Sequence, residues 1–372
     1  MKNLFLIILT ALIIFTQVIM IRVGGSVLSG DKPYIYWVTD FHPSRKEQVR
    51  IFREWLKKNN YPDIEVRLDT ANSGLQKTLI QAASGVAGDV IQVFGGAVPF
   101  LAEAGFVEDL ASVTKEFKLN ESELFIGADV DLYWNGGRYA VPKNVELRQY
   151  FVNRDLFEKL GMSPPPPNWN LEDFEKIGIE FDRRANAGKK RRQNFFANSI
   201  SLEEVRKSAG ISTYNETLTH LALDCPEYLA IMKRVEQFGN RYHIIPTDAD
   251  RQDVAVGQGY GDSFFQLFNN GQLGLLLTGR WALIQIRSMG HNPRMTALGS
   301  PSQGFPVVIA QHGAIVTYKG SKRKEWAKYF QAFLFSEEYS RQILKDVDAF
   351  PPLTKYINDE EFLRPKGFPN EW

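Results

Sequence analysis

Short apolar runs alternate with amphipathic ones over residues 33–105. The apolar runs are rich in β-branched and aromatic residues, which is typical of strands, whereas the amphipathic runs repeat at helical spacing. The pattern predicts strands at 34–38, 64–68 and 89–94, and helices that begin near Ser44 and Leu75 and pass through Phe100. This β-α-β-α-β order predicts a parallel sheet with helices on both faces.

Polar and aromatic residues follow each of these three strands. Asp40 comes after the first strand, Asn72 after the second, and Phe94 ends the third, directly before two glycines. The carboxyl ends of parallel strands meet at one edge of a sheet, which is where open α/β sheets bind ligands. We therefore expect these three residues at one binding edge.

A second module begins after residue 143. Its pattern predicts a strand at 147–153, a helix at 155–160, and another helix from Leu171 that follows a rigid run of four prolines. A buried strand at 271–277 and helices at 326–334 and 337–344 complete the prediction. Sequence repeats are absent.

The N-terminus carries an export-type segment. An apolar run of about 18 residues, 4–21, follows Lys2, which is about the minimum length for a membrane span and longer than a usual signal-peptide core. No Ala-x-Ala-like cleavage site follows this run. Residues 1–30 are therefore either a cleaved signal peptide or an uncleaved N-terminal anchor, and the sequence leaves both open. The single cysteine, Cys225, argues against a lipoprotein and excludes an internal disulfide.

Composition narrows the function further. The roughly 340 residues after the export segment suit two domains. The net charge of +1 gives no reason to expect nucleic acid as a partner, and the basic run at 183–192 is most simply a solvated loop or helix end. Aromatic residues make up 13% of the chain, and flat rings in a cleft suit the faces of sugars.

The sequence motifs do not favour an enzyme. The chain contains no His-Glu-x-x-His, Gly-x-Ser-x-Gly or phosphate-binding loop, and its five histidines lack metal-ligand spacing, so we expect neither metal nor cofactor. The glycines at 257–261 do not fit a dinucleotide fingerprint. Glu103, Glu146 and Asp173 could supply the two carboxylates of a glycosidase, but that mechanism depends on their separation in space.

The order of several short segments resembles a known family. They are 37–40, 83–90, 101–110, 139–142, 150–157, 167–169, 268–271, 278–281 and 313–316. Together they are similar to the extracellular solute-binding proteins (family 1) of ABC-type sugar importers, which include the maltose- and multiple-sugar-binding proteins.

This resemblance implies an α/β, two-lobed periplasmic-binding-protein-like fold, with a mostly parallel sheet flanked by helices in each lobe and a hinge between the lobes. It implies lobe 1 at 31–143 plus 280–312 and lobe 2 at 147–277 plus 315–372. It also implies a monomeric, extracytoplasmic receptor without catalysis, which binds a carbohydrate and delivers it to ABC permease subunits in the membrane.

A sugar site needs polar groups that donate and accept hydrogen bonds, together with an aromatic platform for the apolar ring face. The polar candidates are Asp40, Asn72, Glu146 and Arg280. The aromatic candidates are Trp281, Phe94, Trp37 and Tyr150, although core packing is an open alternative for Trp281 and the favoured one for Trp37. Two other functions stay open: capture of a polyamine, a phosphodiester or an iron chelate on the same fold, and sensory reception by a tethered protein.

Overall fold

The computed structural model describes residues 32–125, 130–217, 219–254, 263–290 and 293–364. The predicted export segment at 1–30 and the glycine loop at 257–261 lie outside these ranges. Within them, no helix has both the length and the apolar character that crossing a membrane requires.

Ten strands and fourteen α-helices occur in the described part of the chain. The strands are β1 Tyr34–Val38, β2 Glu65–Asp69, β3 Val90–Phe94, β4 Tyr133–Trp134, β5 Gly137–Arg138, β6 Val141–Asn153, β7 Phe195–Ala197, β8 Leu273–Gly279, β9 Met295–Leu298 and β10 Ala310–Thr317. The helices are α1 Ser44–Lys58, α2 Leu75–Ala83, α3 Val98–Glu103, α4 Ala111–Glu116, α5 Arg154–Lys159, α6 Leu171–Ala185, α7 Leu202–Ser208, α8 Pro226–Asn240, α9 Asp248–Val254, α10 Ser263–Asn269, α11 Ala282–Ser288, α12 Lys324–Phe333, α13 Glu337–Asp346 and α14 Glu360–Leu363.

The main sheet has the order β2-β1-β3-β10-β6-β8-β7, with β9 also paired to β6. The pairs β1–β2, β1–β3 and β7–β8 are parallel, and the strands around β6 are antiparallel. Strand β6 has 13 residues: its first half, up to Leu147, pairs with β10, and its second half, from Arg148, pairs with β8. It therefore runs from one lobe into the other.

We call the unit around β1–β3 and β10 lobe A. Its core is aromatic: the rings of Trp37 and Phe330 are 4.8 Å apart, and those of Phe52 and Phe330 are 5.2 Å apart. Phe52 lies on α1 and Phe330 on α12, so both helices are held against the sheet by buried apolar surface. The side chain of Trp37 is fully buried there.

We call the unit around β7, β8 and the second half of β6 lobe B. Tyr150 and Trp169 are fully buried in its core, with ring centroids 5.4 Å apart. The indole Nε1 of Trp169 donates to the carbonyl of Gly299 at 2.7 Å, and the hydroxyl of Tyr150 donates to the carbonyl of Ser199 at 3.0 Å. Both polar groups are therefore satisfied within the core.

The packing corrects the expected division of the chain between lobes. Residues 280–312 were expected in lobe 1, but α11 packs against buried side chains of lobe B and β9 pairs with the second half of β6. Residues 315–372 were expected in lobe 2, but α12 and α13 pack on the core of lobe A. Both boundaries came from the family resemblance, and the helix periodicity could not correct them because it does not indicate which sheet a helix covers.

The fold class and the first five elements follow the prediction. The structure confirms strands after residue 33, near 65 and near 90, and helices from Ser44 and Leu75. Strand β10, which lies between β3 and β6, was not predicted as a strand.

We expect Trp37→Ala to destabilise the protein by about 3–5 kcal/mol, because removal of a fully buried indole leaves a cavity in the core of lobe A. Denaturant unfolding measures this. The matched control is Phe41→Ala, four residues further along the chain, where an exposed ring is removed and stability should change by less than about 0.5 kcal/mol. Equal stability of the two variants would contradict the assignment of Trp37 to the core.

Candidate functional site

Four strands of lobe A end or begin at the same edge of its sheet. Strands β1 and β3 are parallel, so Asp40 and Phe94 lie at neighbouring strand ends. Strand β10 is antiparallel to β3, with Gly313 opposite Phe94, which brings the residues just before Gly313 to this edge as well. Strand β6 leaves the edge towards lobe B near Glu146. We call this the lobe A edge.

Asp40 is held in a fixed orientation at this edge. The guanidinium of Arg45 donates to both carboxylate oxygens, at 2.8 and 3.0 Å, and the amide of Gln92 donates to Oδ2 at 2.8 Å. About a third of the Asp40 side chain is exposed. The carboxylate is therefore oriented from behind, and an oxygen that faces solvent can still accept from a ligand hydroxyl.

A buried ionic network lies behind Asp40. The guanidinium of Arg45 also donates to Oδ2 of Asp348 at 3.1 Å, and Asp348 Oδ1 lies 3.6 Å from Nε2 of His42. Burial alone would raise the pKa of Asp348, but nearby positive charge, chiefly that of Arg45, lowers it. The pKa of Asp40 is likewise held well below its usual range: burial opposes this, and Lys143 and Arg45 outweigh it. Both carboxylates are thus ionised at neutral pH.

Strand β6 adds three polar residues where it leaves the lobe A edge. Lys143 and Asn144 are fully buried, and the amide of Asn144 donates to Glu146 at 3.2 Å. Burial lowers the pKa of Lys143, and the nearby Arg45 lowers it further. Burial raises the pKa of Glu146, although Lys143 partly offsets that shift. The start of the crossing strand is therefore polar at the point where the chain leaves lobe A.

One acid of this region is disfavoured in its ionised form by burial. Asp346, at the end of α13, accepts a hydrogen bond from Gln342 at 2.8 Å through one oxygen only. Burial raises its pKa to about 7, and the neighbouring charge of Asp348 contributes.

Two phenylalanines stand out from the lobe A edge. Phe41 is 71% exposed and Phe94 is 60% exposed. An exposed ring forgoes roughly 1.5–3 kcal/mol that burial would supply. Large exposed apolar side chains beside fixed polar groups are typical of sites that bury a ligand with an apolar face.

His312 is the other ring at this edge, but it is buried. It packs directly on Gly95, where even a single added methyl group would overlap the imidazole. Its Nε2 lies 3.9 Å from a carboxylate oxygen of Asp131. The glycine after β3 is thus needed for close packing of the histidine.

Lobe B presents its own strand ends towards the hinge. Strand β8 is antiparallel to β6 and ends beside Arg148, so Arg280 and Trp281 follow directly at this end of the sheet. Strand β7 is parallel to β8 and ends here as well. Strand β9 ends opposite Tyr150 and leads into the segment 299–309. We call this the lobe B edge.

The eight predicted site residues fall into distinct environments. Asp40, Phe94 and Glu146 come together at the lobe A edge, and Asn72 follows β2 nearby, where its amide donates to Asp69 at 2.7 Å. Trp37 and Tyr150 are fully buried in the two cores, so ligand contact by either was the wrong expectation: helices cover both faces of these strands, and the neighbours Val38 and Phe151 are buried as well.

The remaining two residues lie at the lobe B edge. Arg280 is buried under the C-terminal segment: it donates to the carbonyl of Phe362 at 2.6 Å, and its guanidinium lies 3.9 Å from the centroid of that ring. Burial lowers its pKa to about 9. Trp281 is half-buried, with its ring 5.7 Å from that of Phe265. Ligand contact by either residue stays a prediction.

Sequence reasoning missed Gln92, Lys143 and His312. Phe41 lies directly after Asp40, in the polar and aromatic segment that follows the first predicted strand, but it was not among the predicted ligand contacts. His312 has no comparable signal, because its position depends on the antiparallel pairing of β10 with β3. In the described ranges, no group of three or more histidine, cysteine or acidic side chains is arranged to hold a metal ion.

A family model described as bacterial extracellular solute-binding protein matches residues 42–340. The match begins just before α1 and ends within α13. It therefore includes strands β2 to β10 and leaves out β1 and α14.

Solved structures share the fold. An ABC substrate-binding protein from Listeria monocytogenes in complex with cycloalternan aligns with a TM-score of 0.77 at 22% identity, covering 90% of this chain and 83% of that one. A maltose-bound protein of T. maritima aligns at 0.70 with 17% identity, covering 88% and 84%. UgpB from Mycobacterium tuberculosis in complex with glycerophosphocholine aligns at 0.71 with 15% identity, covering 89% and 81%. These likenesses confirm the two-lobed α/β fold class.

We expect Asp346→Asn to stabilise the protein above pH 7. The folded-state pKa is about 7 and the ordinary value is 3.8, so the folded state holds a proton that the unfolded state has lost. Stability of the wild type therefore falls as pH rises from about 4 to 7, and the variant removes this loss. Because each pKa unit corresponds to about 1.4 kcal/mol and the group keeps some solvent access, we expect a gain of about 2 kcal/mol at pH 8.

Unfolding by urea at pH 5 and pH 8 measures the effect. The control is Asp63→Asn, an exposed acid paired with Lys32, which should change stability little at either pH. A variant Asp346→Asn that is no more stable than wild type at pH 8 would show that this carboxyl ionises normally.

Proposed function

Because the chain belongs to the bacterial extracellular solute-binding protein family, we propose that it captures a carbohydrate between its two lobes and delivers it to the permease subunits of an ABC importer. The observation that carries the substrate class is the lobe A edge, where the exposed rings of Phe41 and Phe94 stand beside the fixed carboxylate of Asp40. Structural neighbours that hold cycloalternan and maltose support it.

The chemistry of this edge fits a pyranose ring. A sugar presents an apolar face of C–H groups and a rim of hydroxyls, and each hydroxyl both donates and accepts. The phenylalanine rings offer the apolar face a flat partner, whereas Asp40 accepts from a hydroxyl without rotating, because Arg45 and Gln92 already fix it. A preoriented acceptor reduces the entropy lost on binding.

Capture works through hinge closure between the lobes. Strand β6 is shared by both lobes, so rotation of one lobe against the other must occur around its centre, near Leu147 and Arg148. A ligand that contacts both edges at once stabilises the closed arrangement over the open one. Its differential affinity for the two states sets how far the population shifts.

The surroundings of the receptor follow from the same proposal. The protein acts outside the cytoplasm as a monomer, and residues 1–30 either leave it as a signal peptide or tether it to the membrane as an anchor. It needs no cofactor or metal. Its role is binding without catalysis, and turnover of aryl glycosides by the purified protein would contradict this.

A second candidate ligand is a phosphodiester. The neighbour UgpB from Mycobacterium tuberculosis was solved in complex with glycerophosphocholine, on the same fold. At the lobe A edge of the present chain, the carboxylate of Asp40 is about a third exposed whereas Lys143 is fully buried, so the charge that a ligand meets there is negative and favours a neutral ligand over an anion. The carbohydrate is therefore the first choice. Presentation of the same ligand to a sensory partner stays an alternative, which the gene neighbourhood would distinguish.

We expect a carbohydrate to raise the melting temperature of the protein from Lys32 onward in a thermal-shift screen, because a ligand that binds only the folded state stabilises it by mass action. The screen contains maltose, maltotriose, mannobiose, glycerophosphocholine and spermidine.

We expect Phe94→Ala to weaken sugar affinity about fivefold, corresponding to the loss of about 1 kcal/mol of ring contact.

The control is Val86→Ala, which removes another exposed apolar side chain of lobe A, 70% exposed, from the loop that precedes β3 and thus from the opposite edge of the sheet. It should leave affinity unchanged. A temperature rise with glycerophosphocholine or spermidine and none with the sugars would overturn the carbohydrate proposal while keeping the receptor. Equal affinity of Phe94→Ala and wild type would remove Phe94 from the site.

A further inference from the structure

The segment 299–309 leaves the sheet at the hinge and returns to it. Strand β9 ends at Leu298, opposite Tyr150 of β6, and β10 begins at Ala310, opposite Leu147. Both strands are antiparallel to β6, and on this side of β6 an eleven-residue excursion interrupts the pairing at Arg148 and Gln149, which pair with β8 on the other side. We call this excursion the hinge loop. It starts at the lobe B edge, where β7 and β8 also end.

A buried carboxylate fixes both ends of the hinge loop. Glu204 of α7 is 1% exposed, and its two oxygens are both used. The hydroxyl of Ser300 donates to Oε2, and the backbone N–H of Ile309 donates to Oε1 at 3.1 Å. Burial of a carboxylate costs free energy unless its oxygens are hydrogen-bonded. The loop supplies the donors to both oxygens, so Glu204 stays satisfied only while the loop keeps this conformation.

Ser208, at the end of the same helix, fixes the centre of the loop. Its hydroxyl accepts from the N–H of Gln303 at 2.7 Å and donates to the carbonyl of Phe305 at 2.6 Å. The N–H of Phe305 donates to the carbonyl of Ser208 at 3.1 Å. Gly304 lies so close to that carbonyl that a Cβ would come within 2.7 Å of the oxygen.

The backbone is therefore held at several points along the loop. The carbonyl of Gly299 accepts from the indole of Trp169, and the backbone of Ser302 is hydrogen-bonded to the backbone of Trp169 and Leu171. The side chains at the outer part of the loop are nevertheless exposed. Phe305 is 54% exposed and Val308 is 48% exposed. Surface loops are usually mobile and polar. A fixed backbone that holds a phenylalanine in water is therefore a sign that this loop has a function.

We infer that the hinge loop is the ligand-contacting surface of lobe B, with Phe305 as its aromatic contact and with Glu204 and Ser208 as positioning residues. The inference rests on the proposed function, since it gives the saccharide an aromatic contact from lobe B in addition to Phe41 and Phe94 of lobe A. Rings from both lobes can contact one sugar only when the lobes close, so the contact to Phe305 contributes to the closed state alone.

Phe305→Ala tests the contact directly. The probes are maltose, maltotriose and mannobiose, and the readouts are the thermal shift and the dissociation constant by calorimetry at 20 °C. We expect the variant to bind the sugar that stabilises the wild type about five- to tenfold more weakly, with an unchanged melting temperature in the absence of sugar. The control is Ile179→Ala on α6, which removes a 40% exposed side chain of the same lobe away from strand ends and should bind normally.

Glu204→Ala and Glu204→Gln test the positioning role. We expect Glu204→Ala to speed amide hydrogen exchange across 300–309 in the absence of sugar and to weaken binding to the same extent as Phe305→Ala. Glutamine keeps an acceptor for the N–H of Ile309 and places its amide against the hydroxyl of Ser300, which can accept. Glu204→Gln should therefore recover most of the affinity. If Glu204→Ala does not fold, Phe305→Ala and Ser208→Ala carry the test.

The outcomes separate the two claims. If the wild type binds one of the sugars and Phe305→Ala binds it equally well, the inference is wrong and the carbohydrate receptor stands. If none of the three sugars shifts the wild type, the carbohydrate proposal fails, and the saccharide contact of Phe305 fails with it. Unchanged exchange across 300–309 in Glu204→Ala would overturn the positioning role even where Phe305 is confirmed.

Discussion

The pairing of strand β6 with different partners along its length is the constraint on which the rest of the structure depends. Thirteen residues of one strand pair with strands of both lobes, with β10 beside the first half and β8 and β9 beside the second. The two cores therefore share a backbone that cannot change register without turning the buried residues of both lobes outward. Motion between the lobes is restricted to bending and twisting near the midpoint, while the two edges keep their internal geometry.

The C-terminal segment adds a second connection at the same place. The backbone of Phe350 exchanges hydrogen bonds with Val145, just before the midpoint of β6. Further on, Phe362 covers the guanidinium of Arg280 at the lobe B edge. Since α13 packs on lobe A, this segment contacts both lobes. The same segment supplies Asp348 to the network that orients Asp40, so the hinge and the fixed carboxylate of the lobe A edge share structural support.

The local structure was predictable and the long-range arrangement was not. Alternation of apolar residues located β1, β2 and β3, and their parallel order placed Asp40 and Phe94 at one edge, because those inferences depend only on neighbouring residues. Trp37 and Tyr150 lie on predicted strands as well, but their burial depends on helices that are distant in sequence, such as α12 against Trp37. The lobe assignment of α11 and α12, taken from the family resemblance, differs from their packing because an amphipathic helix does not indicate which sheet it covers.

The residues that sequence analysis missed share a different property, namely that their roles arise from contacts across the sheet. His312 occupies the space left by the missing side chain of Gly95, and Glu204 satisfies donors about a hundred positions away at Ser300 and Ile309. Each lobe thus combines a buried charged group with an exposed phenylalanine: Arg45 fixes Asp40 beside Phe41, and Glu204 fixes the loop that carries Phe305. Since Arg45, Asp40 and Glu204 already have partners, the groups that orient each edge are held without the ligand. The free energy of binding can therefore be used for closure of the lobes, which is the step that a receptor with a hinge must drive.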